Sequence, residues 1–353
     1  MPPIVNLLLR RLFFILVTLF FITILLYGIV MLTPAETRAS LYLPSRLPNS
    51  AHIEVLIHNI IVRFHLNDPF PIQYGLWLNQ LLHGDWGYSP TLREQVLPAL
   101  LKRTPATAEL TFYSLLFFIP LGVISGVLAG SKHGKGLDRT LRALAFLSTS
   151  LPPFILALIL LAIFYVNLRW FPPERIDITN RLIITSASFH TITGFYTLDG
   201  LLNGRPDITL EAFRHLVLPV ITLSLFHWAT LTRITRATVI DEMDKEYVIA
   251  ANARGIPHTK VLWRHVLKNS AVPALNSTVL SAASLITGVF VVELIFRFSG
   301  VSEVIVASMT KLSPDAPAAL GFSIYSVILV LILMLLLDIL QAWIDPRLLE
   351  GVA

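Results

Sequence analysis

The sequence predicts an all-α membrane protein of about six transmembrane helices with both termini cytoplasmic. Three observations carry this. Of 353 residues, 55% are hydrophobic and only 14% charged, well below the roughly one-quarter charged content of soluble domains, and mean hydropathy is +0.71. The uncharged run from Leu12 to Leu32 is long enough, at ~1.5 Å per residue, to cross the ~30 Å hydrocarbon layer as a helix. Further apolar runs recur along the chain, and the pieces between them alternate in their load of Lys and Arg.

The first run follows Arg10 and Arg11 and exceeds the apolar region of a signal peptide, so it reads as an uncleaved anchor. The others lie at Ala106 to Ala129, Leu144 to Val166, His215 to Thr232, Ala271 to Phe296 and Ala318 to Trp343; the fourth is short and carries His227. With the N-terminus inside, the link Ser131 to Arg142 is cytoplasmic and carries Lys132, Lys135, Arg139 and Arg142 against Asp138 alone. The loop Arg233 to Asn269 adds Arg233, Arg236, Lys245, Arg254, Lys260, Arg264 and Lys268. That is the positive-inside bias. The chain then divides into an N-terminal transmembrane helix (1-35), an external segment with an amphipathic helix (36-105), a permeation core of five transmembrane helices (106-348) and a tail (349-353).

In the first external segment, Asp68 before Pro69 signals a helix start and Gly84 a stop, with Trp77, Leu78, Leu81 and Leu82 on one side. The second, Trp170 to Arg214, holds Gly194, Gly200, Gly204, Pro206 and Asp207, which argue for turns. Gly122, Gly126 and Gly130, spaced by four, let two helix backbones approach closely. Pro152 and Pro153 remove backbone donors and kink or start the third span.

The segment 241-273 is a polar island between two spans. Asp241, Glu242 and Asp244 precede Tyr247, and Arg254 stands before Gly255, so acids open a helix and a base closes it, as the helix dipole favours. Gly255 terminates it and Pro257 opens a second helix, in which Val261, Leu262, His265 and Val266 recur at helical spacing. Tyr247, Ala250, Ala251 and Arg254 fall on one face at i, i+3, i+4 and i+7. The two alanines permit close approach of a partner.

Ala250 and Ala251, three intervening positions and Gly255 resemble the cytoplasmic EAA loop of the permeases of ATP-binding-cassette importers. The usual acid is Ile249 here, as in the peptide-type members, where the motif looks like the run Tyr247 to Gly255. Asn67 to Tyr74, Gly84 to Ser89, Ser150 to Phe154, His215 to Leu223, Glu293 to Val301 and Asp345 to Arg347 are also similar to the dipeptide and oligopeptide branch. The resemblance implies that the loop is a coupling helix entering a cleft of a separate ATPase, with roles for Glu246, Tyr247, Ala250, Ala251, Arg254 and Gly255. It further implies a second homologous permease subunit, two ATP-binding subunits, an external solute-binding protein and the plasma membrane of a prokaryote. Peptides are the default solute, with nickel chelates and glutathione among the alternatives.

Candidate pathway-lining residues are Pro152, Pro153 and Glu293, the last with Arg297 at i+4 as a local ion-pair partner. Asp338 near Arg347 reads as an interfacial anchor. No Cys is present, and the 10 histidines lack the i, i+4 His pairing of a helical metal site, so no metal is expected. No cofactor and no nucleic acid are expected either, because no basic run is interleaved with aromatics. The nearest run to a phosphate-binding loop, Gly130 to Gly136, reads GSKHGKG and lacks both the spacer and the hydroxyl after Lys135. The energy must come from another chain or from an ion gradient. The second possibility, an ion-coupled secondary transporter, calls for an inverted repeat and midplane charges that the sequence does not display.

Overall fold

The computed structural model describes residues 3–43, 53–309 and 315–344. In chain order the helices are α1 (Pro3–Val30), α2 (Ala35–Arg38), α3 (Ile53–Arg63), α4 (Phe70–Leu82), α5 (Val96–Ser131), α6 (Gly136–Ser150), α7 (Pro153–Leu160), α8 (Ile178–Ile184), α9 (Tyr196–Leu202), α10 (Pro206–Met243), α11 (Glu246–Ala253), α12 (His258–Val261), α13 (Leu267–Phe296), α14 (Ser302–Met309) and α15 (Ala316–Ile344). The strands found among the described residues, Tyr88–Ser89 and Glu94–Gln95, form one short antiparallel pair. Five helices are long and apolar enough to cross a membrane, namely α1, α5, α10, α13 and α15, and a sixth crossing results if the bent pair around Pro152 counts as one. The protein is thus an all-α, multi-pass membrane protein. Asp345 to Arg347 and the tail lie outside the described residues.

The third span departs from the expected single run, Leu144 to Val166. α6 and α7, the latter prolonged by a π-helical stretch Leu161–Asn167, meet at a 100° bend. Pro152 forces the preceding Leu151 into extended backbone (ψ 123°), and Pro153, lacking an N–H, opens α7 at its first position. α6 is 15 residues long, ~22 Å at 1.5 Å per residue, too short to cross alone. The fourth span is longer than the expected His215 to Thr232 at both ends. Pro206 at the first helical position and Asp207 in the first turn begin α10 rather than forming a turn, because the missing donor is harmless there and an acid favours the dipole. Gly200 likewise lies inside α9, whereas Gly194 (φ +76°) and Gly204 (φ +67°) do make turns.

The chain forms two compact units. One comprises the described residues of 1–105 and 300–335, and within it Tyr27 stacks on Trp77 at 4.8 Å in a cluster with Leu41, Tyr74 and Ile324. α4 begins and ends where Pro69 and Gly84 predict, and it buries Gln73, Tyr74 and Trp77; Leu82, expected on the apolar side, is exposed. Buried Asp315 accepts hydrogen bonds from Ser89 Oγ (2.6 Å), Thr91 N (3.1 Å) and Ala318 N (3.1 Å), so it fastens the strand pair to the start of α15. Most side chains of α1 are uncovered by this chain, as suits a helix facing lipid or another subunit.

The second unit, the described residues of 106–299 and 336–348, is built on α10 lying against α13 and against the unit's part of α5. Its core includes Leu110, Phe118, Leu218, Leu231, Leu285, Val289 and Phe296. The glycine ladder explains how close α5 and α10 come. A Cβ at Gly122 would lie 2.8 Å from Leu231 Cδ2, at Gly126 2.5 Å from Thr235 Cβ and 2.9 Å from Thr232 O, and at Gly130 2.7 Å from Val239 Cγ1. Ser125 and Thr232 hydroxyls then meet at 2.7 Å. Since one obstacle at Gly126 is backbone, Gly126→Leu is expected to cost at least the ~1–3 kcal/mol of an overpacked core. Loss of monodisperse protein on size-exclusion chromatography in detergent is the check; wild-type yield and unfolding midpoint would contradict the packing account.

Candidate functional site

The segment joining α10 to α13 folds locally for legible reasons. Met243 ends α10 with Asp244 as its cap, and Lys245 (ψ 147°) turns the chain into α11. Asp241 and Glu242, expected at the start of the loop helix, belong to the last turn of α10; only Glu246 stands in the first turn of α11. At the other end Arg254 is the C-cap and Gly255 takes φ +74°. Gly255 N donates to Asn252 O (2.9 Å) and Ile256 N to Ala251 O (3.2 Å). This double bond pattern is the Schellman motif, whose left-handed position favours glycine. Pro257 then opens α12, which runs through a π-helical stretch, Leu262–Val266, into α13.

Val248 is 1% exposed and packs with Val127, Val239, Val261, Leu262 and Val266, while Tyr247, Ala251 and Ile256 flank the cluster. The inner side of α11 is therefore fused to the ends of α5, α10 and α13. Its outer side presents Glu246, Ile249, Ala250 and Ala253, with Ile249 61% exposed. This corrects the expected common face of Tyr247, Ala250, Ala251 and Arg254. Tyr247 and Ala251 turn inward, because they adjoin Val248 on the apolar arc, while Ala250 and Arg254 remain outside. The Tyr247 hydroxyl donates to Glu242 Oε2 at 2.7 Å; burial, then the adjacent carboxylate, raise its pKa above the ordinary phenol value.

A second anchor holds the same end of α10. Arg236 grips Asp138, on the first turn of α6, through Nε (2.6 Å) and Nη2 (3.0 Å), and Gly134 N adds a third bond at 2.9 Å. Asp138 is fully buried. Sequence reasoning missed this pair, since nothing local links positions so far apart. Ile249, where the usual acid of the motif would stand, is an apolar side chain turned outward on the knob.

The remaining sequence candidates sit elsewhere. Pro152 is exposed and Pro153 half-buried at the opening of α7. Glu293 in α13 is 1% exposed and accepts a hydrogen bond from Thr107 Oγ1 at 2.5 Å. Arg297 is exposed, and as the C-cap of α13 it takes a left-handed conformation (φ +51°). Asp338 is buried, and Arg347, its expected neighbour, lies outside the described residues.

Residues 119–350 match the family described as binding-protein-dependent transport system inner membrane component. The chain is 30% identical over 340 residues, 96% of its length and 98% of the relative's, to the dipeptide transport system permease protein DppB of Alkalihalophilus pseudofirmus. It is 30% identical over 84% of its length to the probable D,D-dipeptide transport system permease protein DdpB of Escherichia coli, covering 86% of that protein. Against the peptide transport system permease protein SapB of Salmonella typhimurium it is 33% identical over 76% of its length, covering 83% of that protein. Five apolar helices, the broken pair around Pro152, the knob between α10 and α13 and these matches agree: the chain belongs to the binding-protein-dependent transport system inner membrane components, the permease subunits of ATP-binding-cassette importers.

Proposed function

We infer that this chain forms, with a second homologous permease, the transmembrane pathway of an importer for peptides or similarly sized solutes. Two separate ATP-binding subunits supply the energy, one of them gripping α11, so ATP hydrolysis belongs to them and not to this chain. An external solute-binding protein delivers the cargo. Both termini and α11 lie in the cytoplasm, and the membrane is the plasma membrane of a prokaryote. The peptide reading is supported by the names of the relatives, all of them dipeptide or peptide permeases. A single observation carries the coupling role: a Schellman-capped helix offers Glu246, Ile249, Ala250 and Ala253 outward while its inner side is packed on the ends of three long helices. A push on that knob has a rigid path into α5, α10 and α13, provided the ATPases contact it differently in their two states. Glu246, Tyr247, Ala250, Ala251, Arg254 and Gly255 form the coupling element, and Pro152, Pro153 and Glu293 are the candidates for lining the pathway.

The absence of native cysteine makes a clean test available. Ala253→Cys, at an exposed position, is expected to crosslink to a co-purifying subunit bearing a complete phosphate-binding loop and to resist impermeant thiol reagents added outside intact cells. Labelling from the outside would sink the orientation and the coupling role together.

A further inference from the structure

Three ligand atoms converge where α8 meets the start of α10. Asp177 is the residue before α8, and Glu211 and His215 are one turn apart on α10; one donor atom from each lies within 4.8 Å of the other two. His215 is 1% exposed, with Nε2 3.6 Å from Asp177 Oδ1 and 3.7 Å from Glu211 Oε1. Its other nitrogen settles the tautomer. Nδ1 faces two backbone carbonyls, Pro173 O at 2.9 Å and Glu174 O at 3.2 Å, which can only accept, so Nδ1 carries the proton. In the neutral ring Nε2 is then a bare lone pair, buried, without a hydrogen-bond partner, and aimed at two carboxylates. Lone pairs facing carboxylates repel unless a positive charge stands between them. A second ring proton would serve poorly, since 3.6 and 3.7 Å exceed the ~2.7–3.2 Å of N–H···O hydrogen bonds.

A cation serves better. At bond lengths of about 2.1 Å, ligand atoms 3.6 and 3.7 Å apart subtend about 120° at a metal, close to trigonal and within reach of tetrahedral after a small side-chain turn. The supporting shell is also in place. A histidine that donates its far N–H to a carbonyl is the usual arrangement of a metal-bound imidazole. Glu211 is oriented by Asp177 N at 2.7 Å and by Asn180 Nδ2. Asp177 is 61% exposed, free to turn toward the ion and open to a water as a fourth ligand. Imidazole with carboxylates suits zinc-like transition cations better than calcium or magnesium. A lack of i, i+4 histidine pairs does not exclude this site, because its pair is the carboxylate and imidazole of Glu211 and His215, and Asp177 arrives from another element.

We propose that Asp177, Glu211 and His215 bind a divalent transition-metal cation of the zinc class, which clips the segment ahead of α8 onto the first turns of α10. The full chain, purified in detergent and stripped with a chelator, should take up one Zn²⁺ per chain after desalting and unfold at a higher temperature with Zn²⁺ than without. Asp177→Asn alters an exposed side chain outside the packed core, so it should fold as wild type. It should nevertheless weaken Zn²⁺ binding by at least the about 10–100-fold that losing even an outer partner costs, and abolish the thermal shift; Glu211→Gln should do the same. Failure of the wild type to retain stoichiometric Zn²⁺, or equal retention by Asp177→Asn owing to other histidines, would overturn the proposal. So would a response to Ca²⁺ with none to Zn²⁺.

Discussion

Replacing Gly255 with valine will leave the chain inserted in the membrane and weaken productive coupling, so that ATP hydrolysis in the assembled importer drives far less uptake. The cause is conformational. Gly255 holds φ +74°, and an L-residue there costs roughly 1–2 kcal/mol, more when β-branched. Space is not the obstacle, because a Cβ at this position meets nothing within 4 Å. The loss falls on the two bonds that end α11, from Gly255 N and Ile256 N, so the outer tip of the knob frays while Val248 stays packed. A shift of 1–2 kcal/mol is a factor of roughly 5–30 in the population of the docked geometry. The series should grade accordingly: asparagine, which tolerates the left-handed region, retains the most uptake, alanine less and valine the least. Ala250→Glu probes the same surface without touching the backbone, since Ala250 is exposed and a charge there alters only what docks. Uptake and solute-stimulated ATPase activity in proteoliposomes are the measurements. Wild-type values for both in Gly255→Val and Ala250→Glu would refute the coupling role.

What the sequence discloses here follows the range of the forces involved. Pro69, Pro153, Gly84 and Gly255 act on their own backbone, so a chain position is enough to read them, and each marks an element boundary; Pro206 marks one too, but its glycine-rich neighbours read as turns. The ladder Gly122, Gly126 and Gly130 could be read as a close-packing face, although its partners Leu231, Thr235 and Val239 could not be named. Apolar length found the spans but misjudged two. At Pro152 the hydropathy runs on through a bend, and at α10 polar residues such as Arg214, Arg233 and Arg236 continue the helix because its backbone bonds do not depend on hydropathy. The face of α11 was misread because helical spacing fixes which side chains share a side but not which side is covered. Val248 points inward because it meets Val127 on α5, far away in sequence, together with Val239, Val261, Leu262 and Val266 from the flanking helices. Pairs such as Asp138 with Arg236, and the convergence of Asp177 on Glu211 and His215, have no local signature at all.

Removing Arg175 should be the most damaging single change to the fold of the second unit. Glu109, on α5, is 1% exposed, and Arg175 11%. The guanidinium donates to Glu109 Oε2 from Nε (3.0 Å) and Nη2 (2.6 Å), and it also donates to Gly194 O and lies 3.7 Å over the Tyr196 ring. Glu109 Oε1 is held by Thr197 N (2.9 Å) and Thr197 Oγ1 (2.7 Å). One carboxylate thus gathers Arg175, near the start of the Trp170–Arg214 segment, and Thr197, near its middle, onto α5. Arg175→Ala leaves a buried carboxylate with its charge uncompensated, a change that costs about 3–5 kcal/mol. Arg175→Lys keeps the charge but loses the planar fork and the ring contact, so it should fall between alanine and wild type. The double change Glu109→Gln with Arg175→Met removes both charges together and should regain much of the loss, because a buried ion pair adds little over apolar packing once neither partner is stranded. Chemical unfolding in detergent of the wild type, Glu109→Gln, Arg175→Met and the double variant should give a coupling energy at the upper end of the ~0.5–3 kcal/mol seen for contacting residues. Additive effects of the two single changes would mean that the pair is solvated in the native protein and that the segment is held by its turns alone.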